Sequence, residues 1–598
     1  MKDIRKELEQ QKSANKPLLF DGGMGTYFAS LPGRMDERCE TASLTRPGEI
    51  AAIHRAYLEA GCRCIKTNTF TVGADMADGQ TDLAARMIEA ASRLALEAAE
   101  PYGAHVFADI GSAPAGRELS RVENYRRQAD LFLAQGVRCF LLETLISDEG
   151  VAEFARYLKE RSPESFLIVS YAVNFDGITR EGCSGKALLR NTAALADVDA
   201  VGFNCVSGPK HLLEYIRKLD LDGITLSVMP NAGYPTVIDR RTVFEEAPEY
   251  FGQKLAQIAH AGAAIIGGCC GTTPAHIAKA AAALDAPPRI IYAPRPVKPP
   301  EPRPLPREIS LAAKLDAGKR VTAVELDPPV DDEIGFFEEG VRALRDAGAD
   351  AVTIADCPIG RPRADSCLLA CKVKRELGME PLPHMTCRDR NLNATKALLL
   401  GLSIEGVHNV LLVTGDPIPA EDRSEVKSVF NFNSRKLIRY VSSLNESALR
   451  TPFRIFGALN LNARNFDAQL RTAQEKEAAG VSGFLTQPVL SAEALENLKR
   501  ARQELKGSIL GGIYPVVSHR NACFLKNEIA GMRICNEIVA LYEDKEREEA
   551  EDLAVRISTE IAGEIAPYTD GLYLMTPFKR VALMKRILRE VIRPQSLF

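Results

Sequence analysis

Cys269 and Cys270 stand back to back in the run IIGGCCGTTPAHI, and Cys205 lies upstream in VGFNCVSG. Adjacent cysteines close on each other only in strained geometry. Both sulfurs can instead face one point if the chain turns sharply, and Gly267, Gly268 and Gly271 allow such a turn. Three converging thiolates with a fourth position open form the donor set of a catalytic rather than a structural zinc. The bland alternative is three unrelated buried cysteines, because free cysteine is among the most buried residue types. The glycine-flanked doublet favours the metal. His276, just after it, is read as the start of a helix and not as a ligand.

A second group of polar residues lies in the C-terminal half. VELDPP carries Glu325, PHMTCRDRN carries His384, VTGDP carries Asp416 and FLTQPV carries Gln487. An acid closely followed by two prolines is rigidly aimed, since proline fixes φ and stops a strand. Glu325 also has apolar neighbours in Val324, Leu326 and Pro328. Alone the acid is weak evidence: TGDP reads equally as a helix-capping turn, and a lone histidine such as His384 is more often a packing residue than a ligand.

These residues need elements to position them, and the sequence supplies two similar sets. In the first half, short apolar runs begin at residues 17, 63, 105, 139, 166, 199, 224 and 263. In the second they begin at residues 321, 350, 382, 408, 453, 482, 509 and 571. Amphipathic helical stretches separate them. This alternation predicts a parallel sheet, and eight repeats predict its closure. A doubly wound open sheet is the competitor, but neither half has a GxGxxG turn after its first strand. Between the halves runs APPRIIYAPRPVKPPEPRPLPREIS, too rich in proline for a helix or a central strand. The expected fold class is therefore α/β, with two (β/α)8 TIM barrels joined by a Pro-rich linker. The expected limits are 1–286 for the first barrel, 287–306 for the linker and 307–598 for the second barrel. In such a barrel, catalytic groups gather where strands end. Asp21, Asn68, Asp109, Glu143, Asn204, Asn231 and the three cysteines all fall at or just past an expected strand end.

Composition narrows the function classes. A net charge of −4 over 598 residues gives no electrostatic case for nucleic acid or an anionic membrane. The opening MKDIRKELEQQKSANK lacks the apolar core of an export signal, and no stretch has the length of a membrane span. The fourteen cysteines then read as reduced thiols, and a cytoplasmic location is expected. The acidic run EDKEREEAED reads as a solvated helix face. Oligomeric state is not legible, and homo-oligomerisation stays open.

DGGMGT, IHRAYLEAGCRCIKTNTF, GFNC and GGCCGTTPAHI together resemble the homocysteine S-methyltransferase family over residues 17–285. The resemblance implies zinc held by Cys205, Cys269 and Cys270, with Asp21 and Glu143 on the amino group of homocysteine. Free thiols are mostly protonated at neutral pH, so a metal that removes the proton would make the homocysteine sulfur a nucleophile for a methyl group. Methionine would be the product. The methyl donor stays open among S-methylmethionine, S-adenosylmethionine, methyltetrahydrofolate and an external corrinoid protein. A sulfonium already activates its methyl, and the chain has no DxHxxG cobalamin motif.

Residues 307–598, by the order and spacing of their strand-end segments, resemble methylenetetrahydrofolate reductase. That resemblance implies a barrel that moves hydride from NADH or NADPH through FAD to methylenetetrahydrofolate. It places Glu325 as the acid that protonates the folate nitrogen, Asp416 beside the flavin and Gln487 on the pterin. Thr353, His384, Thr414, Gly415, Asp416 and Lys476 fall at FAD contacts. The chain departs from the family at Leu326 and Asp327, where aromatics are common, and at Asn460 and Arg464, where some members carry Tyr and His. Taken together, the halves imply a bifunctional enzyme that makes a methylated folate and methylates homocysteine. The alternatives keep the reductase and give the first barrel another thiol substrate or a non-catalytic zinc and amino-acid sensing role.

Overall fold

The computed structural model describes residues 3–14, 16–34, 37–112, 119–238, 241–244, 247–285, 311–418, 427–529 and 531–592. The expected linker, 287–306, lies outside them. The chain divides into two compact units, Met1–Pro296 and Val297–Phe598.

In the first unit eight strands lie parallel: β1 (Leu18–Leu19), β2 (Cys64–Lys66), β3 (His105–Ile110), β4 (Cys139–Leu145), β5 (Phe166–Tyr171), β6 (Ala200–Asn204), β7 (Leu226–Met229) and β8 (Ala263–Ile266). Neighbours pair in sequence order from β2 to β8, and β8 pairs with β1. A parallel bridge between Phe20 and Cys64 closes the ring between β1 and β2. Side chains alternate faces along a strand. Leu18, Phe20, Cys64, Phe107, Cys139, Leu141, Phe166, Ile168, Ala200, Met229 and Ile265 form the inner cluster, joined by Ile4 and Leu8 of the helix Ile4–Ser13. That helix plugs the barrel with the apolar side of its first two turns. The same alternation carries Lys66, Asp109, Glu143 and Asn204 inward, one step past the apolar layers and toward the C-terminal rim. The outer faces of the strands pack on the surrounding helices in a larger apolar shell.

The second unit is a closed barrel of eight parallel strands: β9 (Val321–Glu325), β10 (Ala351–Ile354), β11 (Glu380–Thr386), β12 (Asn409–Val413), β13 (Arg454–Leu459), β14 (Gly483–Pro488), β15 (Ser508–Ile513) and β16 (Gly571–Met575). Its inner cluster includes Val321, Ala323, Ala351, Leu382, Leu411, Phe456, Leu485, Leu510 and Tyr573, with Leu311 and Leu315 of the helix Leu311–Asp316 as the plug. Two residues beyond this inner layer stand Glu325, Thr353 and His384, which face the barrel mouth by the period of the strand, while Gln487 lies where the register of β14 shifts between Leu485 and Pro488. Every apolar run expected to be a strand is one, and both units are TIM-like barrels. Asn391 and Ser491 cap the helices after β11 and β14 by accepting backbone N–H groups, which turns the chain from strand into helix at the rim.

Candidate active sites

At the first rim, Cys205, Cys269 and Cys270 place their sulfurs within 4.8 Å of one another, and they form the one such cluster of candidate metal ligands among the described residues. Cys205 Sγ lies 3.7 Å from Cys270 Sγ. Two thiolates on a tetrahedral zinc with bonds of about 2.3 Å would stand at nearly that separation. The turns that aim them are unusual. Cys205 and Val206 both have left-handed φ, 57° and 56°, directly after β6. Such backbone in residues other than glycine is strained and persists only where the surroundings hold it. Here Cys205 N donates to Met229 O at 3.1 Å and Ser207 Oγ to Val173 O at 2.8 Å. The doublet is tied down by Cys269 N to Pro230 O and by Ala232 N to Cys270 O, each 2.9 Å. Gly271 has φ 76°, and a Cβ there would stand 2.2 Å from the Phe244 ring.

With protons as the only cations, the three sulfurs share their charge unequally. Interaction with its two neighbouring thiols lowers the Cys205 pKa, and the same interaction raises those of Cys269 and Cys270. A divalent cation is what would let all three ionise.

Carboxylates crowd the space beside the sulfurs. Asp21 is buried just past β1, and its Oδ2 accepts the backbone N–H of Lys66 at 2.9 Å. The Lys66 ammonium, itself buried, lies 3.3 Å from Asp21 Oδ1, outside hydrogen-bond geometry, and donates to Gly268 O at 3.3 Å. Burial opposes the Lys66 charge, yet Asp21, Glu143, Cys269 and Asp109 outweigh it and raise its pKa well above the usual value. Glu143 accepts from Asn204 Nδ2 at 3.2 Å, and the same amide lies 3.8 Å from Cys269 Sγ. Asn204 therefore links the carboxylate to the cysteines. Burial raises Glu143 to about 7, with Lys66 pulling the other way, and burial with the neighbouring Glu143 holds Asp109 well above the usual carboxylate range. Asp21 Oδ1, Asp109 Oδ1 and Asn231 Oδ1 are buried acceptors without a hydrogen-bond donor. His276 lies in the helix Pro274–Asp285, bonded to Thr273 and edge-on to Phe251, outside the sulfur cluster.

At the second rim, Glu325 is the centre of a half-buried polar group. Its Oε2 accepts a hydrogen bond from Tyr573 OH and lies 3.8 Å from His384 Nε2. Burial, reinforced by Asp327, raises Glu325 to about 7, while the Tyr573 bond pulls it back. Burial lowers His384 to about 4, so its ring is neutral. His384 Nε2 and Thr353 Oγ1 are buried without hydrogen-bond partners.

The remaining expected site residues stand elsewhere on this rim. Asp416 is exposed on the loop after β12, where its Oδ2 accepts from Ile359 N at 2.9 Å and its carbonyl from Arg388 at 2.9 Å. Thr414 is exposed and bonds Ser434 at 3.3 Å. Gly415 has φ 91°, and a Cβ there would meet Thr386 at 2.8 Å. Gln487 is half-buried at the end of β14. Lys476 differs from the others: it projects from the helix Phe466–Ala478, is buried, and donates to Ala458 O at 2.9 Å.

Comparison with known proteins assigns a family match to each domain. Residues 18–284 match the model of the family described as homocysteine S-methyltransferase, and residues 310–591 match that of methylenetetrahydrofolate reductase. The chain joins a homocysteine S-methyltransferase-family domain to a methylenetetrahydrofolate reductase-family domain. It is 32% identical over 297 residues to a methionine synthase of Mycobacterium leprae, covering 45% of this chain and 24% of the relative. To a methionine synthase of Mycobacterium tuberculosis it is 31% identical over 298 residues, covering 45% and 25%. The chain thus spans about a quarter of the length of these curated relatives. Among solved structures it is similar to the homocysteine methyltransferase MmuM from Escherichia coli. The oxidized form gives 22% identity and a TM-score of 0.38 over 47% of this chain and 99% of that one. The metallated form gives 23% and 0.37 over 47% and 100%.

Sequence reasoning missed two residues that shape these domains. Lys66, in the methyltransferase-family barrel, was visible only as a lysine two positions past the inward Cys64. Tyr573, in the reductase-family barrel, sits inside the apolar run GLYLM and gave no separate signal.

Proposed function

We propose that the first domain methylates homocysteine on sulfur to give methionine, and that the second reduces 5,10-methylenetetrahydrofolate to 5-methyltetrahydrofolate. The observation that carries the first reading is the three-sulfur cluster beside buried carboxylates with unused acceptor atoms. An amino acid with a thiol at one end and an ammonium at the other fits that pair of features. The sulfur spacing and the all-thiolate donor set suit zinc, with Cys205, Cys269 and Cys270 as its ligands. Zinc, when bound, would keep a substrate thiol in its thiolate form. Asp21 and Glu143 would hold the ammonium, with Asp109 and Lys66 adjusting the charge around it. Asn204 would fix the distance between the ammonium end and the sulfur end.

In the second domain, the general acid is Glu325. It stands half-buried at the barrel mouth with a pKa raised to about 7, so near neutral pH a substantial share is protonated and able to donate to a folate nitrogen. The unpartnered buried Thr353 Oγ1 and His384 Nε2 suit a planar cofactor such as FAD along that rim. FAD, when bound, would carry hydride from NADH or NADPH to the folate. Thr353, His384, Thr414, Gly415 and Asp416 would hold it and Gln487 would orient the pterin. Lys476, whose ammonium is spent on Ala458 O, would support β13 from behind. Fourteen free cysteines support a reducing, cytoplasmic setting, and no described helix is long and apolar enough to cross a membrane.

The test gives the full chain homocysteine with S-methylmethionine, S-adenosylmethionine, methyltetrahydrofolate or a methylated corrinoid protein in turn, and measures methionine. Zinc-loaded protein that makes methionine from none of them would end the first reading. The second ends if the protein binds no flavin, or binds it and does not oxidise NADH or NADPH with methylenetetrahydrofolate.

A further inference from the structure

We infer that Tyr573 is a positioning residue for the reductase reaction: its phenol holds the Glu325 carboxyl at the barrel mouth and stabilises the carboxylate left when that group has given up its proton. The inference rests on the reductase reading for its chemistry, but its geometry is independent of it.

Tyr573 and Glu325 lie on strands at opposite ends of the domain's sequence, which the closure of the barrel makes neighbours. β9 pairs with β16 so that Ala323 is level with Tyr573 and Glu325 with Met575. Tyr573 is therefore one inward step below Glu325, with its ring in the apolar interior and its hydroxyl reaching up to Glu325 Oε2. Tyr573 is buried and Glu325 is half-buried, with 22% of its side chain exposed toward the barrel mouth. The direction of the hydrogen bond is set by chemistry. Burial and the nearby Glu325 carboxyl raise the Tyr573 pKa well above its usual value, so the phenol keeps its proton and donates.

The other groups facing Glu325 do not duplicate this role. His384 on β11 is neutral, and its Nε2 stands 3.8 Å away, beyond hydrogen-bond range. Asp327, on the segment after β9, adds negative charge and disfavours the carboxylate, with Arg363 and Lys579 offsetting Asp327. Thr353 on β10 is level with Glu325 but makes no hydrogen bond to it. Tyr514, just after β15, feels the charge of Glu325 and Asp327 but makes no hydrogen bond to Glu325. Tyr573 is the one group that hydrogen-bonds the carboxyl from the described residues.

The consequence is a division of labour. Burial keeps the proton on Glu325, and Tyr573 makes its release possible near neutral pH. In the transfer, the Glu325 O–H bond breaks, its electron pair stays on the carboxylate, and the new N–H bond forms on the substrate. Tyr573 neither gains nor loses a proton. Solvent later returns a proton to Glu325.

The experiment uses the full chain with tyrosine, phenylalanine or 3-fluorotyrosine at position 573. The Glu325 carboxyl is titrated by infrared difference spectroscopy against Glu325→Gln, and folate reduction is followed over the same pH range. Tyr573→Phe removes the donor, so the titration should move upward by about one pH unit, the scale of a lost hydrogen bond to a charged group. The decline of folate reduction at high pH should move with it, and its rate near neutral pH should fall several-fold. Fluorotyrosine keeps the shape and is the stronger donor, so it should move the titration downward. Opposite shifts from the two replacements support the inference and exclude simple loss of packing. An unchanged titration in both, or the same direction in both, overturns it. If Tyr573→Phe does not fold, the fluorotyrosine arm alone decides by its sign. If the unaltered protein does not reduce methylenetetrahydrofolate, the reductase reading fails, while the infrared titration still reports on the Tyr573–Glu325 bond.

Discussion

Lys66 holds the charge balance of the methyltransferase-family site. It is one buried cation among Asp21, Asp109 and Glu143, and its side chain and that of Asp21 are 5% and 1% exposed. Removing one partner of such a pair leaves the other charge buried and uncompensated, at a cost of about 3–5 kcal/mol. Lys66→Met should therefore lower the urea midpoint sharply, and a wild-type midpoint would contradict the ion-pair account. Glu325 makes a second prediction at this scale. Its folded pKa of about 7 lies above its usual 4.5, so the folded chain binds the proton more tightly than the unfolded chain. The stability this contributes is complete below pH 4.5 and is lost as pH rises through about 7. Folate reduction should fall over the upper part of the same window. Glu325→Gln should stop folate reduction while the flavin is still reduced by NADH or NADPH, because hydride transfer to flavin needs no proton from Glu325. Stopped-flow absorbance separates the two half-reactions, and equal loss of both would contradict the assignment.

Each element contributes to the sites through its inward face and its C-terminal turn. The cysteines depend on the turns more than on the strands. Cys205 is held in a left-handed conformation after β6, and the doublet after β8 ends in Gly271, whose φ of 76° and contact with Phe244 leave no space for a side chain. Gly271→Ala should cost about 1–3 kcal/mol as backbone strain and should draw Cys270 away from the other two sulfurs. The expected outcome is a zinc affinity lowered at least tenfold in a chelator competition, with the barrel still folded by circular dichroism. Unaltered affinity would mean that the turn does not aim the sulfur.

At the scale of the molecule, each barrel has its own inner cluster and its own plugging helix. A lesion at one rim should therefore leave the other working. Cys270→Ala should release zinc and abolish methionine formation, with folate reduction kept within about twofold of the original. Metal analysis and the two activity assays on one preparation check it. Loss of flavin reduction in that variant would show that the barrels depend on each other.

Much of this molecule was legible in the chain. Runs of β-branched and apolar residues at sixteen places, divided by a proline-rich stretch, implied two eight-stranded barrels because parallel strands buried on both faces need continuous apolar sequence. Cys205, Cys269 and Cys270 were likewise legible as a group, since glycine and polar residues past a strand end mark the rim. What stayed hidden depends on which strands become neighbours and at what height. Lys66 meets Asp21 because β1 and β2 bridge at Phe20 and Cys64, and Tyr573 meets Glu325 across 248 residues because β16 returns beside β9 in one particular register. Alternation along a strand determines the face a side chain takes. Only closure of the barrel decides which side chain stands next to it, how dry that place is, and hence whether a carboxyl there keeps its proton at pH 7.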